Sequence, residues 1–115
     1  MTTLLFLPGA ALAAMGLAGL IVPPRRPNWW YGYRTPRSMR SQEAWEDANR
    51  IASLLLVLVG FLSLNTGLTC WFLTRRPNIA VTIVALVTSV LALALFALVE
   101  LYLARNFNRD GKPKR

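Results

Sequence analysis

Three long stretches of this chain are nearly free of charge, and nothing else in its 115 residues limits the fold as strongly. Residues 2–22 and 51–73 contain no Asp, Glu, Lys or Arg, and residues 79–103 are interrupted only by Glu100. At 1.5 Å per residue, each run as a helix covers roughly the 30 Å hydrocarbon core of a bilayer. In lipid every backbone N–H and C=O must find an internal partner, which leaves helices or closed barrels. The runs lack the apolar–polar alternation of barrel strands. The expected fold is therefore an all-α integral membrane protein with three transmembrane helices in a single membrane domain.

Proline and charge mark where the runs end. Pro23 and Pro24 stop the first helix, while Pro8 lies in its first two turns, where a missing donor does least harm. Ala11-Leu12-Ala13 has the small-x-small form of a signal cleavage site. No basic residue precedes that apolar run, however, and the run continues well past the site, so a retained helix is expected. Residues 74–78, with Arg75-Arg76-Pro77-Asn78, read as a tight external turn that makes the second and third helices antiparallel neighbours.

Three spans put residues 23–50 and the tail 104–115 on one side of the membrane. That side holds Arg25, Arg26, Arg34, Arg37, Arg40, Arg50, Arg105, Arg109, Lys112, Lys114 and Arg115. The other side holds Arg75 and Arg76 alone. Eleven against two predicts an N-terminus outside, with the loop and C-terminus in the cytoplasm. The same distribution argues against a nucleic-acid partner, although the net charge is +8, because the basic residues flank apolar runs and suit anionic lipid headgroups. With no His and a lone Cys70, neither a disulfide framework nor a His/Cys metal site is expected, and no cofactor is implied.

Within the second span, Ser53, Gly60, Ser63, Gly67, Cys70 and Thr74 recur at spacings that place them on one helix face, with Leu56 breaking the row. Small residues let helix backbones approach closely, so this face is expected to pack against a neighbouring helix, the first being a candidate. The first span has its own small ladder at Ala10, Ala14 and Ala18. Asn65 is expected to bond a neighbouring helix and Thr66 its own backbone. Glu100 lies near the cytoplasmic end of the third span, and two readings stand for it. It snorkels to the interface, or it pairs with a loop arginine, Arg34 or Arg50, and pins the loop to the bundle.

The polar stretch between the first two spans carries nearly every side chain capable of specific recognition. Pro23, Pro24 and Pro27 keep it extended, and Trp29, Trp30, Tyr31 and Tyr33 suit a membrane interface. Gly32 permits a bend, and Thr35-Pro36 is a turn signal. Arg34, Arg37 and Arg40 recur among Thr35, Ser38 and Ser41, a combination that can bind phosphate or carboxylate, or simply contact headgroups as a solvated basic segment. Ser41 is a suitable N-cap for a short amphipathic helix reaching Arg50 or running on into the second span. Ala44, Trp45, Ala48, Ile51 and Ala52 share its inner face, and Glu46 and Arg50 are spaced for an i,i+4 pair.

Asn28, Gly32-Tyr33-Arg34-Thr35-Pro36, Ser38, Ser41, Glu43, Trp45 and the Asn49-Arg50 pair together resemble the signature of the SdpI family, over roughly residues 27–103. The family takes its name from a bacterial immunity protein. That protein protects its producer from a secreted toxic peptide and, on engaging the peptide, holds a transcriptional repressor at the membrane. The resemblance implies a non-enzymatic membrane protein whose loop binds a partner or headgroup through Asn28, Tyr31–Ser38, Arg40, Trp45, Asn49 and Arg50. It also implies a peptide toxin and a cytoplasmic regulator as partners. Family members often carry Gly after the Asn-Arg pair, where this chain has Ser53, and the founding member has additional N-terminal spans. The competing readings are a small transporter or membrane enzyme for an anionic amphiphile, with the arginines as a phosphate clamp, and a structural subunit. Three helices bury little surface among themselves, which leaves room for a homodimer.

Overall fold

The computed structural model describes residues 2–28 and 31–114, and these form three helices: α1 (Thr2–Ile21), α2 (Gln42–Leu73) and α3 (Pro77–Asn106). All three are long and apolar enough to cross a membrane, so the expected all-helical class holds and the chain is a multi-pass membrane protein. Its long dimension is 52 Å, somewhat more than the roughly 40–45 Å of a bilayer with its headgroups.

The short amphipathic helix expected ahead of the second span is not separate from it. Ser41 takes an extended backbone and its Oγ accepts the Ala44 N–H at 3.0 Å, which starts α2 where an N-cap was expected. No Pro or Gly then intervenes before Gly60, so the helix runs on through the polar segment into the apolar one. At 32 residues α2 is about 48 Å long and projects beyond the hydrocarbon core. The turn between α2 and α3 is shorter than expected, because Pro77 occupies the first position of α3, where its missing N–H would be unpaired in any case.

α2 stands between α1 and α3, which touch each other only sparsely. Its small-residue face meets α1 backbone to backbone. A Cβ added at Gly60 would lie 2.5 Å from the Ala13 nitrogen and 2.7 Å from the Gly9 carbonyl oxygen. One added at Gly67 would lie 2.5 Å from the Leu5 carbonyl oxygen, and Ser53 backs onto Gly16. Ser63 faces the other neighbour, its hydroxyl 2.6 Å from that of Thr88 on α3. Cys70 is buried with Leu5, Ala80 and Val84 at the end away from the loop.

The partner ladder on α1 differs from the one expected. Ala10, Ala14 and Ala18 are exposed, and the buried small residues are Gly9, Gly16 and Gly19, one step around the helix. Two small stripes run along α1, and the glycine stripe permits the closer approach, so it takes the contact. Asn65 also departs from expectation. It sits on an exposed face and donates to its own helix at the Phe61 carbonyl, 2.9 Å away, as Thr66 does at Leu62.

The C-terminal tail is folded back. After α3, Phe107 pairs with Pro113 in a single antiparallel bridge, and the Lys114 N–H reaches the Asn106 carbonyl at 2.8 Å. Gly111, at φ 78°, abuts Arg40 and Ser41, and the Ser41 hydroxyl donates to its carbonyl oxygen. The cap of α2 is thus also the anchor of the tail.

Replacing Gly60 with Val should force α1 and α2 apart and destabilise the purified protein by roughly 1–3 kcal/mol, the usual cost of overpacking. Reversible unfolding in a mixed-micelle SDS titration measures it, and an unchanged midpoint would refute the backbone contact.

Candidate functional site

The loop is built on Asn49, which is buried on α2. Its Oδ1 accepts the Tyr33 N–H at 2.6 Å, while its Nδ2 donates to the Trp45 carbonyl at 2.9 Å and reaches the Tyr33 carbonyl at 3.3 Å. Gly32 is what lets the chain come this close. Its φ is 102°, and a Cβ there would lie 2.5 Å from Asn49 Oδ1 and 2.8 Å from Pro24 Cγ. One turn earlier on α2, the fully buried Trp45 donates its indole N–H to the Pro24 carbonyl at 2.6 Å. Both strands of the loop are therefore fastened to one face of one helix.

Upstream, the Asn28 carboxamide accepts the Tyr31 N–H at 2.6 Å, closing a local turn. The Tyr31 hydroxyl lies 2.7 Å from the Val22 carbonyl and 3.1 Å from that of Ala18. It thus serves the Val22 carbonyl just past the end of α1 and shares the Ala18 carbonyl with the Val22 N–H. Trp29 and Trp30, expected at the interface, lie outside the described residues.

Downstream, Thr35-Pro36-Arg37-Ser38 forms a one-turn helical bend closed reciprocally. Thr35 Oγ1 accepts the Ser38 N–H at 3.2 Å and Ser38 Oγ accepts the Thr35 N–H at 2.9 Å, the geometry of a capping box with Ser in the place of Glu. Ser38 is completely buried although hydrophilic, and Pro36 supplies the fixed φ of the first position. Arg34 and Arg40 are exposed.

Glu100 ties the loop to α3, but through partners other than those expected. Its Oε1 accepts the Tyr33 hydroxyl at 2.7 Å and its Oε2 lies 3.4 Å from Arg37 Nε. Neither Arg34 nor Arg50 makes this contact. Tyr33 is fixed by Asn49, and the tight turn after it swings Arg37, rather than Arg34, toward α3. Arg50 instead lies 3.7 Å from Asp47, and Glu46 accepts the Gln42 amide at 3.0 Å, so the expected Glu46–Arg50 pair does not form. Asp47 also accepts the Tyr102 hydroxyl at 3.1 Å, a second tie to α3 that the sequence did not signal.

Burial, reinforced by the Glu100 hydrogen bond and negative charge, pushes the Tyr33 phenol well above its ordinary value of 10. The folded protein thus keeps a proton that the unfolded chain releases. This contribution to stability is complete below about pH 10 and is lost as the pH rises beyond it. Spectrophotometric titration should show a tyrosine that ionises late, and Tyr33→Phe should remove that late step. A titration curve whose late step survives in Tyr33→Phe would refute the buried pair.

Asn49→Ala would leave the Tyr33 N–H unpaired, at a cost of about 1–3 kcal/mol, while the Tyr33 carbonyl keeps the Ser38 hydroxyl at 3.1 Å. Limited proteolysis at Arg34 and Arg37 should then accelerate severalfold while the three helices remain intact by circular dichroism.

The chain is 42% identical over 57 residues to the uncharacterized protein YfhL of Bacillus subtilis (strain 168). That alignment covers 47% of this chain and 52% of the relative, so the chain spans about half the length of the curated relative it matches. No solved structure matches significantly. The profile of the SdpI/YfhL protein family matches residues 25–102, from the start of the loop to the end of the third span, and the chain belongs to that family.

Proposed function

We propose that this protein sits in a bacterial cytoplasmic membrane and gives immunity to, or signals in response to, a membrane-active peptide toxin, without catalysing a reaction. The loop and tail face the cytoplasm in this reading, supported by the eleven basic residues that flank them against two at the other end. Arg34 and Arg40 stand exposed beside a rigidly held backbone, an arrangement suited to an acidic surface on a cytoplasmic regulator or to lipid headgroups. The observation that carries the reading is the double attachment of Glu100 to Tyr33 and Arg37. A peptide that displaced α3 within the membrane would move Glu100, and the loop would follow. Ser63 and Thr88 bond each other, and Asn65, Thr66, Thr69 and Thr82 bond their own helices, which gives a transported solute few sites.

Deletion and overexpression in the native host, under challenge by membrane-active peptides, test this directly. Sensitivity should rise in the first strain and fall in the second; identical sensitivity in both would remove immunity. Arg34→Ala should abolish the response while the protein still reaches the membrane in normal amount, since that side chain is exposed. Full activity of this variant would take the recognition role away from the loop.

A further inference from the structure

Between the helices and the loop lies a cavity of about 350 Å³. Met15, Ala18 and Gly19 of α1, Leu56 of α2 and Leu95 of α3 wall it, and the Gly32–Tyr33 backbone closes one end. It exists because the glycine seam draws α1 onto α2 while α3 packs elsewhere on α2, and no side chain among the described residues fills the gap. Close-packed interiors seldom leave such a space empty. An apolar cavity of about 150 Å³ accommodates benzene, so this one holds a chain of roughly a dozen carbons.

A second cavity of about 410 Å³ adjoins the first, sharing Gly19, Pro24 and Asn49 as walls. Its rim carries Arg25 and Arg50. Arg50 is mostly exposed and its ion pair with Asp47, the one it makes among the described residues, is long at 3.7 Å, so it gives up little by turning to another anion. Glu46 shares the rim, its carboxylate occupied by the Gln42 amide. An apolar chamber leading to a guanidinium-bearing rim matches an amphiphile in both order and charge.

We propose that these adjoining cavities bind an anionic phospholipid of the surrounding membrane, one acyl chain in the chamber and the phosphate between Arg25 and Arg50. The site differs from the exposed arginine loop, and it stands whether or not the protein confers immunity.

The test uses the full chain in nanodiscs of neutral lipid, doped with phosphatidylglycerol carrying a diazirine on one acyl chain, or with phosphatidylcholine carrying the same chain. Crosslinks are mapped by peptide mass spectrometry. Label should concentrate on residues 15–19 and 52–56, with phosphatidylglycerol favoured about tenfold, the gain of roughly one charge-assisted contact. Ala18→Phe fills the chamber from a side chain outside the α1–α2 seam. It should remove that label while label on the outward-facing Leu86 and Leu93 persists as an internal control. The double variant Arg25→Gln, Arg50→Gln should keep the chamber label and lose the headgroup preference. Label spread evenly over Leu86, Leu93 and the chamber, or undiminished in Ala18→Phe, would mean ordinary contact with bulk lipid and overturn the site.

Discussion

Asn49 gives the loop the backbone partner that a lone extended segment lacks. Its carboxamide meets both the N–H and the carbonyl of Tyr33, much as a residue on an adjacent strand would. A chain leaving the lipid must satisfy its peptide groups without a sheet to join, and unpaired buried groups are costly. Placing the amide on the buried face of α2 solves this, but only if the loop can approach to hydrogen-bonding distance. Gly32 and Pro24 meet that condition together: the first lacks a Cβ where one would strike Asn49, and the second offers its carbonyl to Trp45. Gly32, Tyr33, Trp45 and Asn49 are thus parts of one contact.

Magnitudes decide which contacts hold the loop in place. Arg37 is largely exposed, and exposed ion pairs contribute about 0–1 kcal/mol. The hydrogen bonds made by Asn49, Trp45 and Ser38 are buried or partly so, and removing a partner from such a group costs about 1–3 kcal/mol. The neutral bonds therefore set the loop's position, and the arginines are left for other partners. Because α2 is unbroken from Gln42 to Leu73, the same helix that fixes the loop also carries the seam to α1 and the Ser63–Thr88 bond to α3.

The spans, the Ser41 cap and the small-residue face of α2 were legible because each follows from local rules: charge-free length, a side chain that accepts N–H groups, and helical spacing. What escaped was pairing at a distance. Glu100 was recognised as a residue that could pin the loop, yet Arg37 rather than Arg34 or Arg50 reaches it, because the turn at Thr35–Ser38 sets which arginine points to α3. Sequence spacing does not encode that direction. The stripe on α1 was misplaced by one step, since Ala and Gly alternate there and only the approach of α2 distinguishes them. The docking of the tail at Ser41 had as its one signal Gly111, whose positive φ the sequence permits but does not require.

The dependence between loop and bundle runs in both directions. A carboxylate within an apolar helix costs about 2.5–3.5 kcal/mol at the bilayer centre and less toward the interface. Glu100 sits near that interface with only a fifth of its side chain exposed, so water alone does not solvate it. The Tyr33 hydroxyl and the Arg37 guanidinium supply what water does not, one as a buried donor and the other as a charge reaching in from the surface. Tyr33 in turn could not be buried beside a carboxylate as a phenolate, and the raised affinity for its proton follows from that position. Neither partner is at its most stable alone, so an isolated loop would not keep this conformation and an isolated α3 would carry an unpaired acid.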